Sequence, residues 1–187
     1  AQLNGLRRYS PVTEKQRAEA SEGQQLYLKL ALRNISELVE SEFDWRDVPG
    51  RVTAVKDQGK CASDWAFATT GLLEGAQGLY HPSAELVSLS EQQLVDCSTS
   101  NQGCRGGTII SAMKDIALMT GIESEQDYPY VGATVGTCRF NASKSAMSGY
   151  GGIEVENDDH KYLKRTVRTL GPMAVGVHVN ENFKHYK

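Results

Sequence analysis

The sequence predicts an α+β fold, on three observations. Segments with helical periodicity recur at 64–80, 90–95, 109–119 and 158–170. Short extended stretches stand at 52–55 and 173–179. Four cysteines, Cys61, Cys97, Cys104 and Cys138, lie far enough apart to join distant parts of the chain. At 187 residues there is room for one domain, or two small lobes, with a real core.

Composition narrows the function classes. Apolar residues make up 40% and charged residues 23%, an ordinary globular balance. A net charge of -3 offers no basic footprint for nucleic acid or an anionic membrane. No apolar run approaches the roughly 20 residues of a membrane span. No N-terminal signal peptide is present, which says little, because a start at Ala1 without Met is compatible with a processed form. The cysteines contain no C-x-x-C pair, which argues against zinc, and no metal or other cofactor is expected. An even count at wide spacing suits two disulfides and an oxidising compartment, although four cysteines alone allow three pairings. Two sequons, Asn34-Ile35-Ser36 and Asn141-Ala142-Ser143, are compatible with secretion and make Asn34 and Asn141 the glycosylation candidates.

Taken in order, residues 1–41 are polar and free of cysteine. Gln24 to Glu40 can be partly helical, but Leu26, Leu28, Leu30, Leu32 and Leu38 mix periods of 2 and 3.6. Val52-Thr53-Ala54-Val55 alternates and reads as extended. Asp64 to Tyr80 reads as a long helix, with Trp65, Leu72, Leu73, Ala76, Leu79 and Tyr80 on a broad buried face and Pro82 as its stop. Ser90-Glu91-Gln92-Gln93 is a capping-box pattern opening a helix through Leu94 and Val95. Ile109 to Met119 is helical, with Gly121 as its stop. Asp158 can cap a helix carrying Leu163, Val167 and Leu170, which Gly171-Pro172 ends. Met173 to Val179 reads as a buried strand.

The stretch that organises the chain is Lys56-Asp57-Gln58-Gly59-Lys60-Cys61-Ala62-Ser63-Asp64-Trp65-Ala66-Phe67. It resembles the active-site segment of papain-like cysteine peptidases of the cathepsin type, a Cys-Gly-Ser-Cys-Trp run whose second cysteine is the nucleophile. Cys61, Ser63 and Trp65 match. Ala62 replaces the loop glycine, and Asp64 stands where the nucleophile would be. Phe43-Asp44-Trp45-Arg46, Leu89 to Cys97, Gly103-Cys104-Arg105-Gly106-Gly107 and Asp127-Tyr128-Pro129-Tyr130 resemble further elements of the family.

The resemblance implies a papain-like two-lobe fold over residues 42–187, with the helical lobe nearly complete and the β-barrel lobe truncated. Residues 1–41 would then be an N-terminal extension, either a surface linker or the remnant of a prosegment. It implies Gln58 as an oxyanion donor together with the backbone N–H of residue 64. It implies the pairs Cys61–Cys104 and Cys97–Cys138. It also implies a substrate groove that includes Trp65, Gly106 and Gly107, with Thr108, Ile109 and Gly176 around a pocket. The family's catalytic His and Asn fall about 130–150 residues after the nucleophile, beyond Lys187. His81, His160, His178 and His185 lack the context of the base and read as surface or core residues.

The function expected is that of a catalytically inactive homologue, a peptide-binding or decoy protein, secreted or in lysosomes or endosomes. Its partners would be extended peptide or protein ligands and protease inhibitors, with no nucleic acid and no membrane. The alternative is an inactive mutant, zymogen or fragment of a cathepsin-like endopeptidase that hydrolyses peptides when its Cys and His are present.

Overall fold

A computed structural model describes residues 42–81, 84–148, 160–177 and 183. The expected helix over Gln24–Glu40, the sequon at Asn34, Pro82, the cap at Asp158, and His178 and His185 lie outside these residues. All described residues belong to one unit, Glu40–Lys187.

The described residues contain four α-helices and a small sheet, α1 (Asp64–Tyr80), α2 (Glu91–Cys97), α3 (Ile109–Met119), β1 (Ile122–Glu123), β2 (Ser145–Met147) and α4 (His160–Leu170), joined by 3-10 turns and irregular segments. β1 and β2 pair antiparallel, with Ile122 opposite Met147 and an irregularity before Glu123 opposite Ser145. The result is α+β with the helices dominant. Helix α1 packs against both α2 and α3. Between them lies a core of Trp65, Ala66, Leu73, Leu89, Leu94, Ala112, Ile116 and Ile122, which Met147 joins from β2. Helix α4 returns to the start of the unit. Trp45 Nε1 donates to the Val167 carbonyl at 2.8 Å, and the Arg168 guanidinium stacks 4.0 Å over the Phe43 ring. Pro172, just after α4, sits against Gly75 of α1, where a Cβ would come within 2.7 Å of its ring.

Three sequence expectations need correction. First, α1 buries a different face. Tyr80 is 66% exposed, while Thr69, Thr70 and Glu74 are buried. The buried side of this helix is partly polar because an ion cluster lies under it, so hydrophobicity alone misplaces the face. Second, Met173 to Val177 is not a buried strand: it has no ladder partner among the described residues, and Val175 and Val177 are 70% and 61% exposed. An apolar alternating run becomes a buried strand only where another strand lies beside it. Val52–Val55 joins no ladder among the described residues either. Third, α3 ends on Thr120, not Gly121. Thr120 takes the left-handed conformation at φ 67°, donating to the Ala117 carbonyl, and Gly121 N–H reaches back to the Ile116 carbonyl at 3.1 Å. That is a Schellman closure with a threonine at the position glycine favours.

The capping box on α2 forms by halves. Ser90 Oγ accepts from the Gln93 N–H at 3.0 Å, but the Gln93 side chain does not return to Ser90. It donates to the Gly121 carbonyl and accepts from the Glu123 N–H at 2.7 Å, while Ser90 N–H goes to the Glu123 carbonyl. Gln92 similarly ties α2 to the backbone at Val131 and Ala133. The short helix is thus a buried polar hub whose amides satisfy backbone groups of β1 and the following loop.

The ion cluster lies where α1 meets α2. Lys56 Nζ donates to Glu74 Oε1 at 2.7 Å, to Glu91 Oε1 at 2.6 Å and to the Leu89 carbonyl at 3.2 Å. Both carboxylates are 1% exposed. Thr53 and the Leu89 N–H complete the bonding of Glu74, and Thr70 that of Glu91. Burial disfavours the Lys56 charge, but hydrogen bonds and charges from the two glutamates outweigh it and hold its pKa above the ordinary lysine value.

Candidate functional site

The loop 58–63 and the N-terminus of α1 form one face of the site. Cys61 pairs with Cys104, and Ala62 N–H donates to the Cys104 carbonyl at 3.2 Å, so this loop is held beside the 3-10 turn Gly103–Arg105. Cys97 pairs with Cys138, which anchors the end of α2 to the loop before β2. The sequence separations of 43 and 41 correspond to about 4 kcal/mol each in the chain-entropy picture. With both pairs formed, none of the four cysteines is free.

Asp64 is the first residue of α1 and is exposed. An acidic side chain there suits the positive end of the helix dipole, an effect of about 0.3–1 kcal/mol. Gln58 Nε2 donates to the Cys61 carbonyl at 2.9 Å, folding its side chain over the loop, and its amide carries a second N–H. His81 caps the far end of α1, on the order of 25 Å from Asp64 at 1.5 Å rise per residue. His160 opens α4. Among the described residues no group of three or more His, Cys, Asp and Glu side chains is arranged to hold a metal ion.

Residues 103–109 form the second face. Trp65 is 3% exposed, with its indole N–H on the Gly103 carbonyl at 3.2 Å, so the residue is part of the core wall behind this face. Gly106 has φ 115°, a conformation open to glycine, with free space where a Cβ would be. Gly107 is constrained differently: a Cβ there would lie 2.4 Å from Asn101 Oδ1 and 2.7 Å from Trp65 Cδ2. The first glycine therefore serves backbone conformation, and the second serves close packing from behind. Neither backbone polar group of the exposed Gly107 is hydrogen-bonded among the described residues. Thr108 caps α3, accepting from the Ser111 N–H, and Ile109 is half-buried as its first residue. Gly176 is exposed in the segment after α4, with nothing within 4 Å of its Cβ position. Asn141 is exposed. Its Oδ1 accepts from both the N–H and the hydroxyl of Ser143.

Two supporting residues escaped the sequence reading. Asn101 Oδ1 accepts from Thr108 N–H at 2.7 Å and its Nδ2 donates to Ser98 Oγ, which in turn bonds the buried Asp115 of α3. Tyr130 spans the site. Its hydroxyl donates to the Gln58 carbonyl at 2.8 Å and lies 2.7 Å from Ser63 Oγ, and its ring meets Phe67 edge-on at 4.9 Å. The Asp127-Tyr128-Pro129-Tyr130 motif was visible, but not the reach of its last hydroxyl back to residue 58.

Comparison with known proteins fits this architecture. Residues 39–187 match the papain family cysteine protease description. The chain is 36% identical to "Cathepsin L" of Sarcophaga peregrina, over 97% of its own length and 57% of that protein's. It is 44% identical to "Cathepsin L1" of Drosophila melanogaster, over 76% of its length and 38% of the relative. The structure of digestive procathepsin L2 proteinase from the larval midgut of Tenebrio molitor superposes with a TM-score of 0.68 at 38% identity, covering 74% of this chain and 43% of that one. The chain thus spans little more than half the length of these relatives at most. By a family match over most of its residues and by this papain-like fold, the chain belongs to the papain family of cysteine proteases.

Proposed function

We propose that this chain is a catalytically inert family member that holds extended peptide or protein segments without cleaving them. One observation carries the reading. Peptide hydrolysis of this type needs a thiolate. Here every cysteine is in a disulfide, and the helix that would present the nucleophile opens with Asp64. A carboxylate attacking an amide would have to expel an amine and leave a mixed anhydride, a poor exchange for a weak nucleophile. The helix tolerates Asp at this position, so the fold survives the change.

The groove is the part of the machinery that remains. The unpaired N–H and C=O of Gly107 suit strand-like pairing with an extended peptide. Ile109 offers an apolar wall and Gly176 adds no side chain, so a medium apolar residue fits better than Arg. Protease inhibitors that present an extended segment are ligands of the same kind. Residues 42–187 act as the binding domain and residues 1–41 as an extension. The two disulfides favour a secreted, lysosomal or endosomal setting. No helix among the described residues is long and apolar enough to cross a membrane.

The test is a dipeptidyl fluorogenic reporter with and without a thiol-directed epoxide. The expected result is no turnover and no covalent adduct by intact mass without reduction. Turnover that the epoxide abolishes contradicts the proposal.

A further inference from the structure

Two exposed cationic residues flank the disulfide that joins the two faces of the groove. Lys60 immediately precedes Cys61, and Arg105 immediately follows Cys104. The Cα atoms of that disulfide are 4.6 Å apart, so one further Cα step at each end keeps Lys60 and Arg105 within about 12 Å of each other. Both backbones are fixed. Gly59, at φ 62°, turns the chain just before Lys60, and its N–H is held by Asp57 Oδ1 at 2.8 Å. Arg105 N–H donates to the Gln102 carbonyl at 3.0 Å, inside the 3-10 turn that Trp65 holds through the Gly103 carbonyl.

Neither cation is engaged within the protein. Lys56, Lys144 and Arg46 each have a carboxylate partner, and Arg139 stacks on the Tyr128 ring. Lys60 and Arg105 have neither a carboxylate partner nor a ring contact among the described residues. The acidic residues nearest in sequence are Asp57 and Asp64, both exposed. Asp57 is turned onto the Gly59 N–H, and Asp64 stands at the positive end of α1, so neither neutralises the two cations by contact.

We propose that Lys60 and Arg105 make the groove select acidic peptides: an extended segment with Asp or Glu next to the apolar residue that meets Ile109. This deepens the binding reading above and rests on it. Arg105 lies two residues before Gly107, whose unpaired N–H and C=O are offered to the ligand backbone. Its long stem, like that of Lys60, lets the charged head reach a ligand lying there while staying in water. A ligand carboxylate meets two positive charges at once, whereas a Lys or Arg side chain is repelled. Because both cations remain hydrated, the preference is modest and sensitive to salt, about three- to tenfold in affinity at low ionic strength.

Calorimetry on the full 187-residue chain tests this, with three peptides of blocked termini that differ at one position, Leu-Glu, Leu-Gln and Leu-Lys in an otherwise identical extended sequence. The expected order is Glu above Gln by that factor and Lys weakest, with the gaps narrowing at physiological salt. Lys60→Gln with Arg105→Gln, both at exposed positions and with the disulfide kept, should bring the Glu-to-Gln affinity ratio to about one. Lys60→Arg with Arg105→Lys, which keeps both charges, should retain the preference. Equal affinities for Glu and Gln, a preference that survives the double Gln substitution, or a Gly-Glu peptide that binds as tightly as Leu-Glu overturns this inference and leaves the groove reading standing. Failure of all three peptides to bind overturns the groove reading and this inference with it.

Discussion

Replacing Lys56 with Met tests the cluster on which α1 and α2 are joined. The change removes three donated bonds, at 2.7, 2.6 and 3.2 Å, while keeping most of the aliphatic stem. What matters more is what stays behind: Glu74 and Glu91, each 1% exposed, with only neutral donors from Thr53, Thr70 and the Leu89 N–H. Breaking a buried ion pair from one side typically costs about 3–5 kcal/mol. With a urea slope of about 2 kcal/mol/M for a domain of this size, the unfolding midpoint near neutral pH should fall by about 2 M. Adding Glu74→Gln and Glu91→Gln should recover much of the loss, because a neutral, hydrogen-bonded cluster pays little desolvation. The assay is urea unfolding followed by fluorescence, with disulfides intact. An unchanged midpoint near neutrality, or no recovery when Glu74→Gln and Glu91→Gln are added, refutes the reasoning.

The other predictions concern single positions. Gly107→Ala should cost about 1–3 kcal/mol by overpacking against Trp65 and Asn101, seen as a lower urea midpoint; a neutral result would mean that this glycine is not packed from behind. Thr120→Gly should stabilise by about 1 kcal/mol, because it relieves a β-branched residue at φ 67°, and a rise in thermal midpoint checks it. Asn141, expressed through a secretory pathway, should carry an N-glycan that peptide N-glycosidase removes and that Asn141→Gln abolishes, read by intact mass.

Helix positions were legible where caps and breakers stand in the chain. Asp64 to Tyr80 and Ile109 to Met119 are bounded by local signals, and the structure has both helices over those spans. Which face of α1 is buried was not legible, because Thr70 and Glu74 are buried to meet partners at residues 53, 56 and 91. Val175 and Val177 show the same limit, since alternation is a property of the segment but burial depends on a neighbour. In the site, the Gly106-Gly107 pair read as a groove signal, yet the reason for the second glycine is an indole ring 42 residues earlier, as the numbering of Trp65 and Gly107 gives. Tyr130 was invisible as a support because its hydroxyl's contacts span long separations, up to 72 residues for the bond to Gln58.

The most direct test of an inert binding groove is isothermal calorimetry with an extended Leu-bearing peptide, recovering the peptide afterwards for mass analysis. The account predicts a saturable heat of modest affinity, a weaker heat for the Arg-bearing counterpart, and peptide recovered whole. Sustained heat with cleaved peptide, or no heat at any concentration, contradicts it.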